Sequence, residues 1–116
     1  MKMNDIAGSI IYSKAKTCVN FKSDSLRDTL NFGFSYVESK DHVVNYLVTN
    51  GTVMKKILAS IPETVLCPSD EDLGELWTAK LLVSNKIKDS QILFSNGSMS
   101  IVINLNLNKE FENAGL

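Results

Sequence analysis

The stretch that decides the fold runs from Asp72 to Leu107 and reads DLGELWTAKLLVSNKIKDSQILFSNGSMSIVINLNL. It contains three apolar, β-type runs separated by polar breaks: Leu76 to Val83, Ile92 to Phe94 and Ser98 to Leu107. Alternation along the last run puts one set of side chains on a buried face and the other set on a mostly wet face. The stretch therefore predicts an antiparallel β-meander on which the earlier segments pack.

Two residues inside this stretch carry more specific expectations. Asn96-Gly97 lies between two apolar runs, and both residues tolerate the positive φ that a type I′ hairpin turn requires. Trp77 lies beside Leu76 and Ala79, so we expect its ring to be largely buried and its indole N–H to be hydrogen-bonded.

Length and composition limit the classes of protein to consider. The chain has 116 residues, of which 44% are hydrophobic and 22% charged, and its net charge is −1. These values are ordinary for one globular domain, so we expect a single domain over residues 1–116. No apolar run approaches the length of about 20 residues that spans a bilayer, and we see no secretory signal, so we expect no membrane partner.

The first 22 residues and the last nine are the least regular parts. Two short apolar clusters, Ile10 to Tyr12 and Cys18 to Phe21, indicate either two short strands or an arm that orders against a partner. Residues 108–116 are polar and are expected to form a frayed tail. Cys18 and Cys67 lie in no C-x-x-C pattern, and their apolar neighbours favour small, buried, reduced thiols.

Two helices are predicted upstream of the meander. The first runs from Ser23 to Lys40, with Ser25 as a capping residue and an apolar stripe at helical spacing. Gly33 lies within it, at a position suited to close packing against the sheet. The second runs from Val53 to Ser60, where Thr52 is the predicted cap and a proline follows the helix.

Strands complete the pattern between and after these helices. His42 to Thr49 is apolar on both faces, which is typical of a central strand, and Thr64 to Cys67 is a second, short strand. The sequence thus predicts the α+β class: two helices packed on a mixed, mainly antiparallel sheet with a C-terminal β-meander.

No set of residues in the sequence converges on catalysis or on a cofactor. His42 is the single histidine, and its position between a helix and a strand suits a boundary residue better than a catalyst. There is no nucleophile elbow, no calcium-loop pattern and no complete phosphate-binding glycine motif. We therefore expect no catalytic residues, no cofactor and no metal site.

Nucleic acid is an unfavoured partner. The best basic cluster is formed by Lys14, Lys16 and Lys22 near two aromatic residues, and Arg27 is the single arginine of the chain. A protein that reads nucleic acid normally carries a stronger basic surface than this.

Two polar segments are the best candidates for contact with a protein partner. The densest acidic cluster lies between Pro68 and Glu75, and a polar turn follows the first run of the meander. The predicted contact residues are Asp70, Glu71, Asp72, Glu75, Asn85, Lys86 and Lys88. For the acidic cluster, a solvated loop is the favoured interpretation, and a contact surface for a basic partner is the second.

The residues from Leu73 to Ile87 resemble a segment of tailed-phage major capsid proteins. Many of these proteins carry leucine, glycine, any residue, leucine, tryptophan, a small residue and alanine, followed by valine-serine, a short turn and a strand. The upstream order of helix, strand and short helix is also similar, so that the resemblance extends over roughly Ser23 to Asn106. It implies the axial-domain portion of a fold that encapsulin shells share. Such subunits are normally far longer, so we expect no more than this portion here.

The resemblance implies a structural function without catalysis. We expect a phage virion or shell component, located in the virion or the host cytoplasm, that assembles with itself or with a larger capsid protein. The alternative is a small immunity or inhibitor protein that neutralises a toxin, an enzyme or a signalling nucleotide, with the acidic cluster facing a basic target.

Overall fold

The structure is a computed structural model that describes residues 4–22, 25–66 and 74–105. Within these residues, helices and strands occur in the following order: α1 (Asn4–Ser13), β1 (Thr17–Phe21), α2 (Leu26–Glu38), β2 (Tyr46–Thr49), α3 (Gly51–Ser60), β3 (Thr64–Leu66), β4 (Gly74–Leu76), β5 (Ala79–Val83), β6 (Gln91–Ser95) and β7 (Ser100–Leu105). The predicted α+β class is confirmed.

All of these strands belong to one mixed sheet of seven strands, in the order β1-β7-β6-β2-β5-β4-β3. β1 runs parallel to β7 and β2 parallel to β5, while the remaining neighbours are antiparallel. The strands of the predicted meander are therefore not consecutive in space, since β2 lies between β5 and β6. Leu47 and Val48, on opposite faces of β2, are both 0% exposed, which is why this strand takes the central position.

The run from Leu76 to Val83 is a hairpin and not one strand. Leu76 and Ala79 are cross-strand partners in β4 and β5, and both are fully buried. Three positions apart on a straight strand, they would face opposite sides of the sheet, so the chain folds back between them. Trp77 consequently lies in the turn with φ of 54° and is 39% exposed, which makes the expectation of a largely buried ring wrong.

The predicted turn between β6 and β7 is present, but its geometry differs from a type I′ turn. Gly97 has φ of 94°, whereas Asn96 is not among the residues with positive φ. Asn96 instead accepts hydrogen bonds through Oδ1 from the backbone N–H groups of Ser98 and Met99, at 2.9 and 2.7 Å. The centre of the turn is therefore Gly97-Ser98, and the asparagine stabilises it through its side chain.

Helices cover the two faces of the sheet unequally. On one face, here the two-helix face, α2 and α3 bury the larger core, which includes Leu30, Val37, Leu47, Met54, Ile57, Leu81, Ile92, Phe94, Ile101 and Ile103. On the other, the one-helix face, α1 covers a smaller cluster made of Val48, Leu82, Ile87, Leu93 and Val102. Neighbouring residues of β6 face opposite ways, so Leu93 belongs to one cluster and Phe94 to the other.

The segment predicted as two strands or an arm is a helix followed by an edge strand. Ile11, Tyr12 and Ala15 pack against the cluster of the one-helix face, and β1 joins the sheet beside β7. Gly8 allows α1 to approach the sheet, because a Cβ at this position would lie 2.5 Å from the carbonyl oxygen of Val83. Ile6, Ala7, Ile10 and Ile11 recur at helical spacing in the sequence, a signal that the prediction of strands or an arm overlooked.

The other two helices agree largely with prediction. Ser25 caps α2 by accepting the backbone N–H of Asp28 at 3.0 Å. Gly33 packs directly on the sheet, where a Cβ would overlap the ring of Phe94. The cap of α3 is Asn50 and not Thr52, since the Asn50 side chain accepts the N–H of Val53 at 2.8 Å.

Candidate functional site

The loop between β5 and β6 lies at what we call the upper end of the sheet. Here β2 and β5 finish side by side, with Thr49 opposite Val83, and β6 begins. α3 also starts here, immediately after β2. Residues 84–90 therefore lie next to the first turn of a helix and at the ends of two central strands.

Hydrogen bonds and one buried side chain fix this loop. Ile87 is 2% exposed and belongs to the cluster of the one-helix face. The N–H of Lys86 donates to Oγ of Ser84 at 3.2 Å, and the N–H of Lys88 donates to Oε1 of Gln91 at 3.3 Å. Between these anchors Asn85, Lys86 and Lys88 are exposed, so three of the predicted contact residues share one ordered loop.

A further contact attaches the loop to the start of α3. Nδ2 of Asn50 donates a hydrogen bond to Oδ1 of Asp89, while Oδ1 of Asn50 caps the helix. The carboxylate of Asp89 thus lies near the positive end of the helix dipole, a favourable position for an anion. Sequence reasoning missed this link, because the two residues are 39 positions apart.

The acidic residues of the predicted contact set do not lie on this loop. Glu75 is exposed on β4, where its Cα partner is Lys80 of β5. It therefore lies on a neighbouring strand and not on the loop that carries the other contact residues. Asp70, Glu71 and Asp72 lie outside the described residues, as do Cys67 and the predicted tail at 108–116.

A second candidate site is an open groove of about 380 Å³ on the one-helix face, beyond the end of α1. Its lining residues are Tyr12, Ser13, Ala15, Lys16, Thr17, Cys18, Gln91 and Val102. A chain of polar contacts crosses three strands beside it: Nε2 of Gln91 donates to Oδ1 of Asn104 at 3.0 Å, and Nδ2 of Asn104 donates to Sγ of Cys18 at 2.9 Å. The groove combines an exposed thiol, amides and a lysine.

The exposure of Cys18 corrects the expectation of a buried thiol. β1 is an edge strand, and its alternation turns Val19 and Phe21 toward the core of the two-helix face. Cys18 and Asn20 consequently lie on the opposite face, where they are exposed. Apolar neighbours in sequence misled the prediction because adjacent strand residues point to opposite faces.

The ionisable groups of the described residues do not form a recognisable catalytic centre. His42, half-buried after α2, contacts the Asn96 amide through Nδ1, which directs its ring toward the β6–β7 hairpin. No group of three or more His, Cys, Asp or Glu side chains suited to a metal ion occurs in the described part of the chain. In the same residues, no helix has the length and apolar character needed to cross a membrane.

One surface ion pair shifts the pKa values of its members. Arg27 of α2 donates two hydrogen bonds to the Glu63 carboxylate, at 2.8 and 3.0 Å. These bonds lower the pKa of Glu63 and raise that of Arg27, because each favours the charged form. The pair links α2 to the segment after α3.

Comparison with known proteins identifies no relative. No family profile matches the chain, and neither a curated protein nor a solved structure matches it significantly. A functional proposal for this chain therefore rests on its own residues and on the geometry in which the fold places them.

Proposed function

We propose that this chain is a phage virion or shell structural protein that acts by protein–protein assembly, with further copies of itself or a larger capsid protein as its partner. The observation that carries the proposal is the ordered loop at the upper end of the sheet, with Asn85, Lys86 and Lys88 exposed between buried anchors. The resemblance of residues 73–87 to capsid proteins supports it.

The geometry of the loop favours recognition by contact. Ser84 is fully buried and Ile87 nearly so, and the hydrogen bonds of Lys86 and Lys88 restrain the backbone between and after them. A loop that is already ordered loses little conformational entropy when a partner binds, so more of the contact energy appears as affinity. The exposed amide and ammonium groups supply hydrogen-bond donors to such a partner.

The resembling segment divides between core and surface. Leu76, Ala79 and Leu81 are fully buried, as expected for residues that maintain a fold. Trp77 departs from this role, since its ring is partly exposed. It lies just before β5, at the end of that strand away from the 84–90 loop. Exposed tryptophans are enriched in protein interfaces, so the two ends of one strand both present contact residues. Two different contact surfaces on one subunit suit a head-to-tail interface, which forms a ring if the rotation between subunits closes and a filament if it does not.

The test is the molar mass in solution, measured by light scattering after size exclusion over a wide range of concentrations. We expect species that are multiples of the monomer. The variant N85S/K86S/K88S should shift the population toward monomer, because it removes the polar contacts of the loop. The control K14S/K55S also removes two positive charges, but from exposed positions elsewhere, and should assemble like the original protein.

A monomer at every concentration would overturn self-assembly. It would favour the immunity or inhibitor alternative, for which the exposed Glu75 is the described member of the acidic contact set. Equal loss of assembly in the loop variant and in the control would show that charge in general, and not this loop, drives association.

A further inference from the structure

One edge of the sheet is formed by β1. In the described part of the chain, β7 is the strand that pairs with β1, and no strand lies on its other side. In a parallel pair, every second residue turns its backbone N–H and C=O groups away from the neighbouring strand. β1 therefore presents a row of backbone donors and acceptors along its outer edge, where a further strand can pair.

The two faces of β1 offer different surroundings to such a strand. Val19 and Phe21 are half-buried against the core of the two-helix face. The ring of Phe21 is stacked on that of Phe32 in α2, with centroids 4.2 Å apart. On the opposite face, Cys18 and Asn20 are exposed. A strand beside β1 would thus meet apolar side chains on one face and polar side chains on the other.

The apolar side of this edge continues along α2. The ring of Tyr36 lies 6.0 Å from that of Phe32, and Nζ of Lys40 lies 5.6 Å from the centroid of the Tyr36 ring. Asp28 lies one turn before Phe32, so that these residues form one row at intervals of four. The row carries one charge of each sign and two half-buried rings, whose remaining apolar surface an added strand can cover.

Positive charge marks both ends of β1. Lys16 precedes the strand and Lys22 follows it, and both side chains are exposed. Residues 14–22 contain three lysines and no acidic residue. Strand alternation places Lys16 and Lys22 on the face of Cys18, and Lys16 lines the groove on that face. The best electrostatic match for this edge is therefore a strand with an acidic residue at each end.

A second copy of β1 does not provide this match. Antiparallel pairing of two β1 strands over their whole length would bring Lys16 of one copy opposite Lys22 of the other, at both ends of the pair. Like charges directly opposite each other destabilise a strand pair, and lysines on edge strands commonly protect against such self-pairing. The same lysines favour an acidic partner.

We propose that the outer edge of β1 binds an extended acidic segment of a partner protein, which joins the sheet as an additional strand. Along this segment apolar residues alternate with polar ones, and a carboxylate at each end pairs with Lys16 or Lys22. The apolar residues lie on the side of Val19 and Phe21. This surface shares no residue with the 84–90 loop, so the inference does not depend on the assembly proposed above.

Two labelled peptides with blocked termini test the proposal. EVTVTVE has the proposed pattern and reads the same in both directions, so it suits either orientation of the added strand. KVTVTVK differs only in the sign of its two end charges. Fluorescence anisotropy in low salt should show that the full chain binds EVTVTVE about ten-fold more tightly, because two cross-strand charge pairs change from attraction to repulsion.

Charge reversal on the protein is the matching variant. K16E/K22E should reverse the preference, so that KVTVTVK becomes the tighter ligand. Both substituted side chains are exposed, so we expect this variant to fold. The control K55E/K56E also reverses two charges, but on α3, and should keep the preference of the original protein.

Hydrogen exchange at single-residue resolution shows whether the peptide binds as a strand. In the free protein, alternate amides of residues 17–21 should exchange rapidly, since their N–H groups face outward. Saturating EVTVTVE should slow the exchange of these amides several-fold. Exchange in residues 85–88 should not change.

Absence of binding, equal affinities for the two peptides or an unchanged preference in K16E/K22E would overturn the proposal. Slow exchange at all five residues of β1 in the free protein would also overturn it, because a second copy or another segment of the chain would then already occupy the edge. None of these measurements uses the loop variant, so failure here is distinguishable from failure of the proposed assembly.

Discussion

The two faces of the sheet share the same seven strands but differ in how completely helices cover them. On the two-helix face, α2 and α3 enclose a continuous apolar core that draws on both helices and on six of the strands. On the one-helix face, α1 lies over β2 and β5, and polar side chains of β6, β7 and β1 stay open beside it. The larger apolar core thus lies on one face of the sheet, and the accessible polar side chains of the groove lie on the other.

This difference implies that removing a buried side chain does not cost the same stability on the two faces of the sheet. Phe94 and Leu93 are both 0% exposed, and they are consecutive residues of β6. Phe94 contacts α2 within the core that α2 and α3 share, whereas Leu93 lies in the cluster under a single helix. Paired substitutions at these positions compare the two faces directly, because both residues lie in the same strand and are adjacent in sequence.

The largest effect is expected from Phe94→Ala compared with Leu93→Ala. We expect losses in the free energy of unfolding of about 4 kcal/mol for Phe94→Ala and about 2.5 kcal/mol for Leu93→Ala. The ring of Phe94 contacts Phe34 edge to face, with centroids 5.8 Å apart, so its removal leaves a cavity with fixed walls. On the other face, α1 can move into the space that Leu93→Ala leaves, because it is the one helix that covers this cluster. Urea unfolding measures both, and an equal or larger loss for Leu93→Ala would contradict the unequal coverage.

A second comparison uses the glycines through which two helices touch the sheet. Gly33→Ala drives a methyl group into the buried Phe94 ring, and we expect net global destabilisation of about 1–2 kcal/mol despite the better helix propensity of alanine. Gly8→Ala meets the backbone of Val83, so α1 must move away from the sheet. We expect this change to be local, because α1 covers the smaller cluster.

Hydrogen exchange distinguishes these two responses. Gly8→Ala should lower amide protection in α1 while protection in β6 is retained, whereas Gly33→Ala should lower protection throughout the sheet. Loss of β6 protection in both variants would show that the two faces unfold as one unit and that the proposed separation is incorrect.

The smallest effect concerns the ion pair on the outside of the two-helix face. The folded-state pKa of Glu63 is lowered by Arg27, so its contribution to stability is present above the unfolded value of about 4.3 and is lost as the pH falls through the folded value. Arg27→Gln should therefore lower the melting temperature slightly at pH 7 in low salt, and the difference from the original protein should vanish near pH 2. A difference that persists in acid would indicate lost packing of the arginine stem.

Local patterns in the sequence were sufficient for α2, for the cap at Ser25 and for the approach of Gly33 to the sheet. The apolar spacing of a helix and the chemistry of a cap are set within a few residues, so they can be read without knowing the fold. The central position of β2 was also predictable, because Leu47 and Val48 make both of its faces apolar.

The failures lie where distant residues decide. The hairpin at Trp77 depends on Leu76 and Ala79 meeting the same core. The exposure of Cys18 follows from β1 being at the edge of the sheet. None of these facts is encoded in the immediate neighbours of the residue concerned.

The candidate contact loop was predictable only in part. Polar residues between two apolar runs indicated that Asn85, Lys86 and Lys88 would be exposed, and the structure places them so. The anchoring role of Ile87 and the link between Asn50 and Asp89 needed the fold. The contact of His42 with Asn96 likewise joins residues whose proximity no local pattern predicts.

The order of the strands has a consequence for the synthesis of the chain. β1, β2 and β3 occupy three separate places in the sheet and none of them touches another, so residues 1–66 contain three strands but no neighbouring pair. β2 must wait for both β5 and β6, and β1 must wait for residues 101–105. Contacts this distant in sequence slow folding. A nascent chain stopped before β4 therefore holds no neighbouring pair among the strands of this sheet, and β1 is incorporated only after β7 has left the ribosome.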